Sequence, residues 1–281
     1  MHRSSFILLI SLLINICFPN EKIVTVGGSI TEIVFSLNQG HRVVGVDQSS
    51  TIPKEVGSLP QVGYIRAISA EGILSMEPTK ILTTSDIGPP NVVEQIKATG
   101  VELIIYDSPK SYTDIVELIK LIAKDLNAEE ESIDLLSVMN DSFKTIQDNI
   151  VNQREIHKIA FFMGMGGGSA LSSFNAAGDA TRANYLIEFI GGRNVFKGSF
   201  KKYSKVDMET LIDVNPEIIL LASMGDGEQL MKSIYEDSNL KYIDAIKNEQ
   251  VHFIDLGRSL TFGSNFVDSA ADILKNVELK K

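Results

Sequence analysis

Three side chains with the chemistry of an iron site lie within eight positions of one another, in the stretch 62–82, VGYIRAISAEGILSMEPTKIL. Tyr64 and Arg66 come directly before a segment with the pattern of a helix, and Glu71 lies in the first turns of that helix. A tyrosine phenolate is a hard, anionic oxygen ligand for ferric iron, including the iron of haem. A neighbouring cation stabilises the phenolate, so the Tyr-x-Arg spacing suits such a ligand.

These residues also have an ordinary structural explanation. Tyr64 is then a half-buried loop aromatic, and Arg66 is a solvated charge. Two features favour the functional interpretation. The pair follows a strand and loop and precedes a helix, which is where parallel-sheet proteins place ligand contacts. The two halves of the chain also resemble each other, and this predicts a cleft that the pair would face.

Composition restricts the classes of protein to consider. The 281 residues are 44% hydrophobic and 22% charged, which is typical of globular proteins. The formal net charge of −10, without a long basic run, argues against a nucleic-acid partner. There is no G-x-S-x-G motif, and no two histidines have metal-ligand spacing. The four histidines are His2, His41, His157 and His252.

The glycine-rich stretch GMGGGSA (164–170) follows a predicted strand. It lacks the Lys-Ser/Thr ending of a phosphate-binding P-loop and the spacing of a dinucleotide fingerprint. Phosphate binding is therefore the weaker interpretation. The glycines favour a loop that passes close to a ligand or to the other half of the protein.

The amino terminus has the pattern of an export signal. After Arg3, residues 6–16 form an apolar core that is shorter than the roughly 20 residues needed to cross a bilayer. We therefore expect residues 1–20 to be a signal peptide and the mature protein to be exported and soluble. Two alternatives remain: a lipid anchor on Cys17, which is the single cysteine, and a retained amino-terminal anchor.

Strand and helix patterns alternate along most of the chain, which predicts an α/β fold with parallel sheets. Ser29 with Glu32 has the spacing of a helix capping box, and Gly40 is predicted to end that helix. From Tyr112 to Gln153 the pattern is helical, with a break near Asn127. We predict an N-terminal lobe (21–128), an interlobe helix (129–153) and a C-terminal lobe (154–281).

The second half repeats part of the first. EGILSMEPTKIL begins at Glu71, and ETLIDVNPEIIL begins at Glu209. In each, a proline follows the glutamate by seven positions and an aliphatic run follows the proline. This pattern indicates two related α/β lobes, each Rossmann-like and with a parallel sheet, joined by one long helix. A cleft between the lobes is the natural ligand site.

The sequence resembles the periplasmic haem-binding proteins of bacterial haem ABC importers, within the helical-backbone class of substrate-binding proteins. The resemblance extends over residues 22 to about 276. It is carried by 62–82, by GPPNVVEQIKATGV (88–101) and by residues 165–196. The family motif Gly-Tyr-x-Arg/Lys-x-Leu-Ser-Ala-Glu-Gly implies that Tyr64 is the axial ligand of haem iron. It implies that Arg66 is the hydrogen-bond partner of Tyr64.

The resemblance also implies a role without catalysis. The protein would capture haem b and deliver it to the inner-membrane ABC permease, and we expect it to act as a monomer. Glu71 and Glu209 match the surface glutamates that dock onto permease arginines in this class. The alternative is simple helix electrostatics, because a carboxylate near a helix start is favoured by about 0.3–1 kcal/mol.

The sequence departs from the family in two places. The segment 260–274 lacks the Pro-Arg pair often found after the glycine, and no histidine lies in 163–182. We therefore expect one haem, bound through one protein ligand. Met163 and Met165 could approach the iron from its far side. Methionines at the end of a strand more often pack in the core, however. Three rivals stay open: a binding protein for a ferric siderophore or a corrinoid, an exported α/β enzyme, and a structural or adhesion protein.

Overall fold

The computed structural model describes residues 21–152, 156–164, 175–223 and 227–278. Its N-terminal lobe contains the strands β1 (Ile23–Val26), β2 (Val43–Val46), β3 (Gly63–Tyr64), β4 (Ala67–Ile68), β5 (Lys80–Thr84) and β6 (Glu102–Tyr106). Four of them form a parallel sheet in the order β2-β1-β5-β6, and β3 pairs with β4 as a separate antiparallel hairpin. The helices of this lobe are α1 (Gly28–Ser36), α2 (Ala70–Leu74) and α3 (Pro90–Ala98), with 3-10 helices at Gly40–Arg42 and Lys54–Ser58.

Two long helices connect this sheet to the next one. They are α4 (Tyr112–Leu126) and α5 (Glu129–Asn152). Asn127 ends α4 in the left-handed conformation, with φ 52°. The predicted break near Asn127 is therefore present. At 1.5 Å per residue, the 24 residues of α5 extend over about 36 Å.

The C-terminal lobe is built around β7 (Lys158–Gly164), β8 (Asn175–Ala176), β9 (Arg193–Asn194), β10 (Ser204–Lys205), β11 (Ile218–Ser223) and β12 (Val251–Ile254). Strands β9, β7, β11 and β12 pair in parallel. Strand β8 pairs antiparallel with β7 and with β10, so this sheet is mixed rather than purely parallel. The helices are α6 (Arg182–Phe189), α7 (Met208–Val214), α8 (Gly227–Glu236), α9 (Asp244–Lys247), α10 (Leu256–Leu260) and α11 (Phe266–Glu278).

Along the part of the chain that the structure describes, no helix has the length and apolar character needed to cross a bilayer. Buried side chains lie on both faces of the sheets. All four residues of β1 and all five of β5 are buried, as expected for parallel strands with helices on both sides.

The repeat in the sequence extends to the backbone. Helix α2 leads into β5, and α7 leads into β11, each through a tight turn that contains a proline. The residue before each proline is left-handed, with φ 49° at Glu77 and 40° at Asn215. A residue before proline avoids the helical region. Asn215 is therefore the C-cap of α7, whereas α2 already ends at its C-cap Ser75, two residues before Glu77.

The predicted capping of α1 is wrong. Gly27 is the N-cap residue, no side chain caps the helix, and Ser29 is buried within its first turn. The helix ends at Ser36 with Leu37 as its C-cap, and Asn38 rather than Gly40 adopts the left-handed conformation. A Cβ atom at Gly40 would lie 2.5 Å from the Phe35 ring, so a larger residue there would have to displace that side chain.

An aromatic cluster joins the two lobes and the helix between them. Phe143 of α5 stacks on Tyr112 of α4, with ring centroids 4.4 Å apart, and lies 5.6 Å from Phe189 of α6. The Tyr112 backbone N–H also donates a hydrogen bond of 2.8 Å to the Tyr185 hydroxyl. Phe262 and Phe266 complete the cluster. Each such ring pair adds about 0.5–1.5 kcal/mol to the free energy of packing.

A buried carboxylate makes a second connection between the lobes. Glu32 of α1 is 1% exposed. It accepts hydrogen bonds from Thr261 Oγ1 at 3.0 Å, from Ser264 Oγ at 3.2 Å and from the Asn265 N–H. Glu32 therefore bonds to the opposite lobe and does not form the predicted capping box with Ser29. Burial raises the pKa of Glu32, and the three hydrogen bonds oppose that shift.

Glu32→Gln is expected to flatten the dependence of stability on pH. A raised pKa means that the folded protein binds the proton more tightly than the unfolded chain does. The resulting stability is complete below the unfolded value of 4.5 and is lost as pH rises through the folded pKa. Each unit of pKa shift corresponds to about 1.4 kcal/mol.

The measurement is the urea midpoint of unfolding at pH 4, 6 and 8. The midpoint of the wild type should fall further across this range than that of Glu32→Gln. Glu55→Gln, a change at an exposed carboxylate, is the matched control and should follow the wild type. Parallel curves for the wild type and Glu32→Gln would contradict the assignment.

Candidate functional site

The hairpin β3–β4 presents the two side chains that the sequence singled out. Ile65 and Arg66 form its two-residue turn. Ile65 is 8% exposed and packs in the core of the N-terminal lobe. Its neighbours point the other way, since Tyr64 is 45% exposed and the Arg66 side chain is 67% exposed. Burial of Ile65 thus fixes the outward direction of both.

Backbone hydrogen bonds hold this hairpin rigidly. The Gly88 N–H donates to Ile65 O, and the Ile68 N–H donates to Gly88 O, each at 2.9 Å. On the other side, the Gln48 N–H donates to Gly63 O at 2.8 Å. Gly63 has φ +112°, a conformation that side chains with a Cβ rarely adopt. The exposed tyrosine is therefore carried by backbone that has little freedom.

Within the described ranges, the Tyr64 hydroxyl makes no hydrogen bond, so its oxygen is free to bind a ligand. Arg66 lies near it in sequence but forms its ion pair elsewhere. Its Nη2 atom is 3.6 Å from Asp86 Oδ1. The structure therefore places Tyr64 and Arg66 on one hairpin, with Asp86 as the counterion of the arginine.

Asp86 connects the two lobes at this place. It lies in the loop after β5, and its Oδ2 atom is 3.8 Å from Nη2 of Arg182 in the C-terminal lobe. The Ser108 hydroxyl donates to the same oxygen at 2.8 Å. Neither Asp86 nor Arg182 was predicted from the sequence as a site residue. The available signal for Asp86 was its position at the carboxyl end of a parallel strand, where ligand sites are common.

Arg182 is held by the residues around it. It is the first residue of α6, after the N-cap Thr181, whose side chain accepts from the Asn184 N–H. Its Nη1 atom donates to Leu260 O at 3.1 Å and to Thr261 O at 3.2 Å. Burial lowers the pKa of Arg182, and Asp86 opposes that shift. The guanidinium is therefore positioned before any ligand reaches it.

A second tyrosine lies beside Arg182. Burial raises the pKa of Tyr203 to about 12, while hydrogen bonding with Ala183 and Thr181 opposes that shift. Tyr203 and Lys205 repeat the Tyr-x-cation pattern six residues before Glu209, against seven residues between Tyr64 and Glu71. That echo in the sequence was the signal for Tyr203. Unlike Tyr64, it is partly buried and hydrogen-bonded, so it is the poorer ligand of the two.

Glu71 and Glu209 occupy equivalent places on the surface. Each is exposed and lies in the first turn of a short helix, α2 or α7. Ser69 caps α2 by accepting from the Gly72 N–H at 3.2 Å, and Asp207 caps α7 by accepting from the Thr210 N–H at 2.8 Å. Among the described residues, neither glutamate side chain forms a hydrogen bond or an ion pair, so both remain available to a partner.

Other residues considered in the sequence lie outside this site. Among the described residues, no group of three or more His, Cys, Asp or Glu side chains could hold a metal ion. Met163 is partly buried in β7. Cys17, the predicted signal peptide, Met165 and the rest of the glycine-rich stretch fall outside the described ranges.

Two grooves elsewhere are less suited to a ligand of this chemistry. One, of about 530 Å³, is lined by Glu32, Phe35, His41 and Asn265 among others. The other, of about 330 Å³, lies between β12 and α11. Neither lining contains Tyr64, Arg66, Asp86 or Arg182. The hairpin site combines an open phenol with cations from both lobes, and it is therefore the better candidate.

Comparison with known proteins agrees with this architecture. The curated relatives include an uncharacterized ABC transporter substrate-binding lipoprotein, YvrC of Bacillus subtilis strain 168. It is 23% identical over 92% of this chain and 80% of its own length. The high-affinity heme uptake system protein IsdE of Staphylococcus aureus strain bovine RF122 / ET3-1 is 24% identical over 76% of this chain and 72% of its own.

Among solved structures, the periplasmic heme-binding protein RhuT from Roseiflexus sp. RS-1, in apo form, aligns with a TM-score of 0.81. The alignment covers 93% of this chain and 99% of that chain, at 26% identity. The profile of a family described as periplasmic binding protein matches residues 23–256. That match extends over most of both lobes. The chain therefore belongs to the periplasmic binding protein family, the substrate-binding proteins of ABC transporters, which are not enzymes.

Proposed function

We propose that this protein captures haem in the cleft between its lobes and delivers it to an ABC importer of the inner membrane. Tyr64 is the proposed axial ligand of the ferric iron. The observation that carries the proposal is an exposed phenol with no hydrogen-bond partner among the described residues, on a backbone-paired hairpin beside Arg66. The haem-related names of IsdE and RhuT support it.

The chemistry of the site fits this ligand. Haem presents two large apolar faces, and their burial contributes about 25 cal/mol per Å² of apolar surface. The iron–phenolate bond adds selectivity for the ferric state. A nearby guanidinium lowers the cost of the phenolate charge, and Arg66 lies two residues away on the same hairpin. We further propose that one haem binds per monomer.

The family and the pattern of the amino terminus are the basis for the proposed location of the protein in the cell. We propose that residues 1–20 direct export, and that the two lobes (21–128 and 154–281) and their connecting helix (129–153) act in the periplasm. Release of haem would follow when the permease separates the lobes and the phenolate is protonated or displaced. A lipid anchor on Cys17 is the alternative to free diffusion.

Tyr64→Phe is expected to weaken hemin binding and to change its spectrum, because the substitution removes only the oxygen that would bind the iron. Loss of one ligand bond of this kind reduces affinity by about tenfold or more. The measurement is a titration of purified protein with hemin, followed by the Soret band. The wild type should show saturable one-to-one binding with a high-spin ferric, tyrosinate-like spectrum.

Tyr242→Phe is the matched control, since Tyr242 is also exposed but belongs to the C-terminal lobe, between α8 and α9. It should bind hemin as the wild type does. An unchanged spectrum in Tyr64→Phe would move the iron ligand elsewhere, with Met163 tested next. Failure of the wild type to bind hemin would favour a ferric siderophore or a corrinoid as the ligand.

We also propose that Glu71 and Glu209 dock onto arginines of the permease. Both are exposed carboxylates at the start of equivalent helices, one on each lobe. A pair of matching carboxylates can bind two equivalent permease subunits at once. Charges of this kind set the orientation and the rate of association.

The double variant Glu71→Gln/Glu209→Gln is expected to bind hemin normally but to lose transport. Each substitution removes one charge at the interface, at a cost of about tenfold in affinity for the permease. The measurement is hemin-stimulated ATP hydrolysis by the permease in proteoliposomes. Glu130→Gln, at an exposed first-turn glutamate of α5, is the control. Full stimulation by the double variant would rule out docking through these residues.

A further inference from the structure

The ion pairs of Asp86 with Arg66 and Arg182 are long. Its carboxylate lies between two guanidinium groups, 3.6 Å from Arg66 Nη2 and 3.8 Å from Arg182 Nη2. Both distances exceed the range of a good N–H···O hydrogen bond. A shorter contact of Asp86 is with the Ser108 hydroxyl, which donates to Asp86 Oδ2 at 2.8 Å. Both arginines therefore keep unused donors directed toward a carboxylate.

The charge at this place is positive although the whole protein is acidic. Two arginines face one aspartate, and Tyr203 beside them stays neutral because burial raises its pKa to about 12. The formal net charge of the chain is −10. These three described groups, two arginines and one aspartate, together carry one excess positive charge, which is suited to an anionic group of the ligand.

Arg182 is better prepared for this role than Arg66. Its Nη1 is fixed by Leu260 O and Thr261 O, and its guanidinium carbon lies 5.1 Å from the centre of the Phe262 ring. Its side chain is 35% exposed, against 67% for Arg66. Little conformational entropy remains to be lost when Nη2 and Nε bind an anion. The planar guanidinium suits a carboxylate in particular.

We propose that Arg182 of the C-terminal lobe, with Arg66 of the N-terminal lobe, recognises carboxylate groups of the cleft ligand, and that Asp86 is an internal carboxylate that the ligand displaces. The proposal rests on the proposed function, in which the ligand carries carboxylates as the two propionates of haem. Arg182 would thus select ligands that carry carboxylates, and Asp86 would compete with those carboxylates for the guanidinium groups.

Displacement of Asp86 by the ligand explains why a carboxylate of the protein lies in a site for anions. With Asp86 present, neither guanidinium is left without a counterion, and the two lobes attract each other across the cleft. A ligand carboxylate replaces loose ion pairs with direct, charge-assisted hydrogen bonds. Asp86 keeps its hydrogen bond from Ser108 after displacement. The net gain in binding free energy is therefore smaller than it would be with an uncharged residue at position 86.

The test compares hemin with hemin dimethyl ester, in which both propionates are uncharged. Arg182→Gln should weaken hemin binding by about tenfold and leave ester binding unchanged. Asp86→Asn should strengthen hemin binding by about fivefold, again without effect on the ester. Arg193→Gln, at an exposed arginine of the same lobe, is the control and should change neither ligand. The iron–tyrosinate spectrum should stay the same in all variants.

The outcomes separate this proposal from the proposed function. No saturable binding of hemin to the wild type would overturn both. Saturable binding with equal losses for hemin and ester in Arg182→Gln would overturn carboxylate recognition alone. Weaker hemin binding in Asp86→Asn would show that Asp86 supports the site and does not compete. If Arg182→Gln fails to fold, Asp86→Asn and the ratio of hemin to ester affinity in the wild type decide the question.

Discussion

The geometry of the cleft depends on the hydrogen bonds that Glu32 accepts from the opposite lobe. All of its partners, Thr261, Ser264 and Asn265, lie between α10 and α11. These hydrogen bonds offset part of the cost of burying a carboxylate that is 1% exposed, and they connect α1 to the segment between α10 and α11. A Cβ atom on Gly263 would lie 2.5 Å from Glu32 Cδ, so glycine there allows the close approach.

The lobes thus meet through two kinds of contact with different strengths. At Glu32 and in the aromatic cluster, the contacts are buried and well packed, and they hold the lobes together. At Asp86 and Arg182, the contact is a partly exposed ion pair at 3.8 Å, which contributes little to stability. A binding protein needs this difference, because its cleft must exchange a ligand while its base stays assembled.

Duplication has given the two lobes similar elements with different roles. Glu71 and Glu209 remain equivalent on the surface. Tyr64 and Tyr203 have diverged, since Tyr64 is exposed on a hairpin while Tyr203 lies partly buried beside Arg182. The N-terminal lobe thus supplies the proposed iron ligand, and the C-terminal lobe supplies the fixed cation. A symmetric pair of lobes has become an asymmetric site.

The sequence by itself determined the features that depend on neighbouring residues. Alternating strand and helix patterns, the break at Asn127 and the repeated Glu-to-Pro segment all follow from local propensity and spacing. The Tyr-x-Arg pair was also visible, because both residues lie on one hairpin.

Only the tertiary structure decided which distant side chains meet. Glu32 has the spacing of a capping box, yet its partner Asn265 lies 233 positions away, because burial of α1 against the other lobe leaves its carboxylate no solvent. Asp86 and Arg182 carry no mutual signal in the sequence, and they meet because the loop after β5 faces the start of α6. Local propensity and residue spacing do not predict such contacts, since desolvation and charge pairing depend on how the lobes pack.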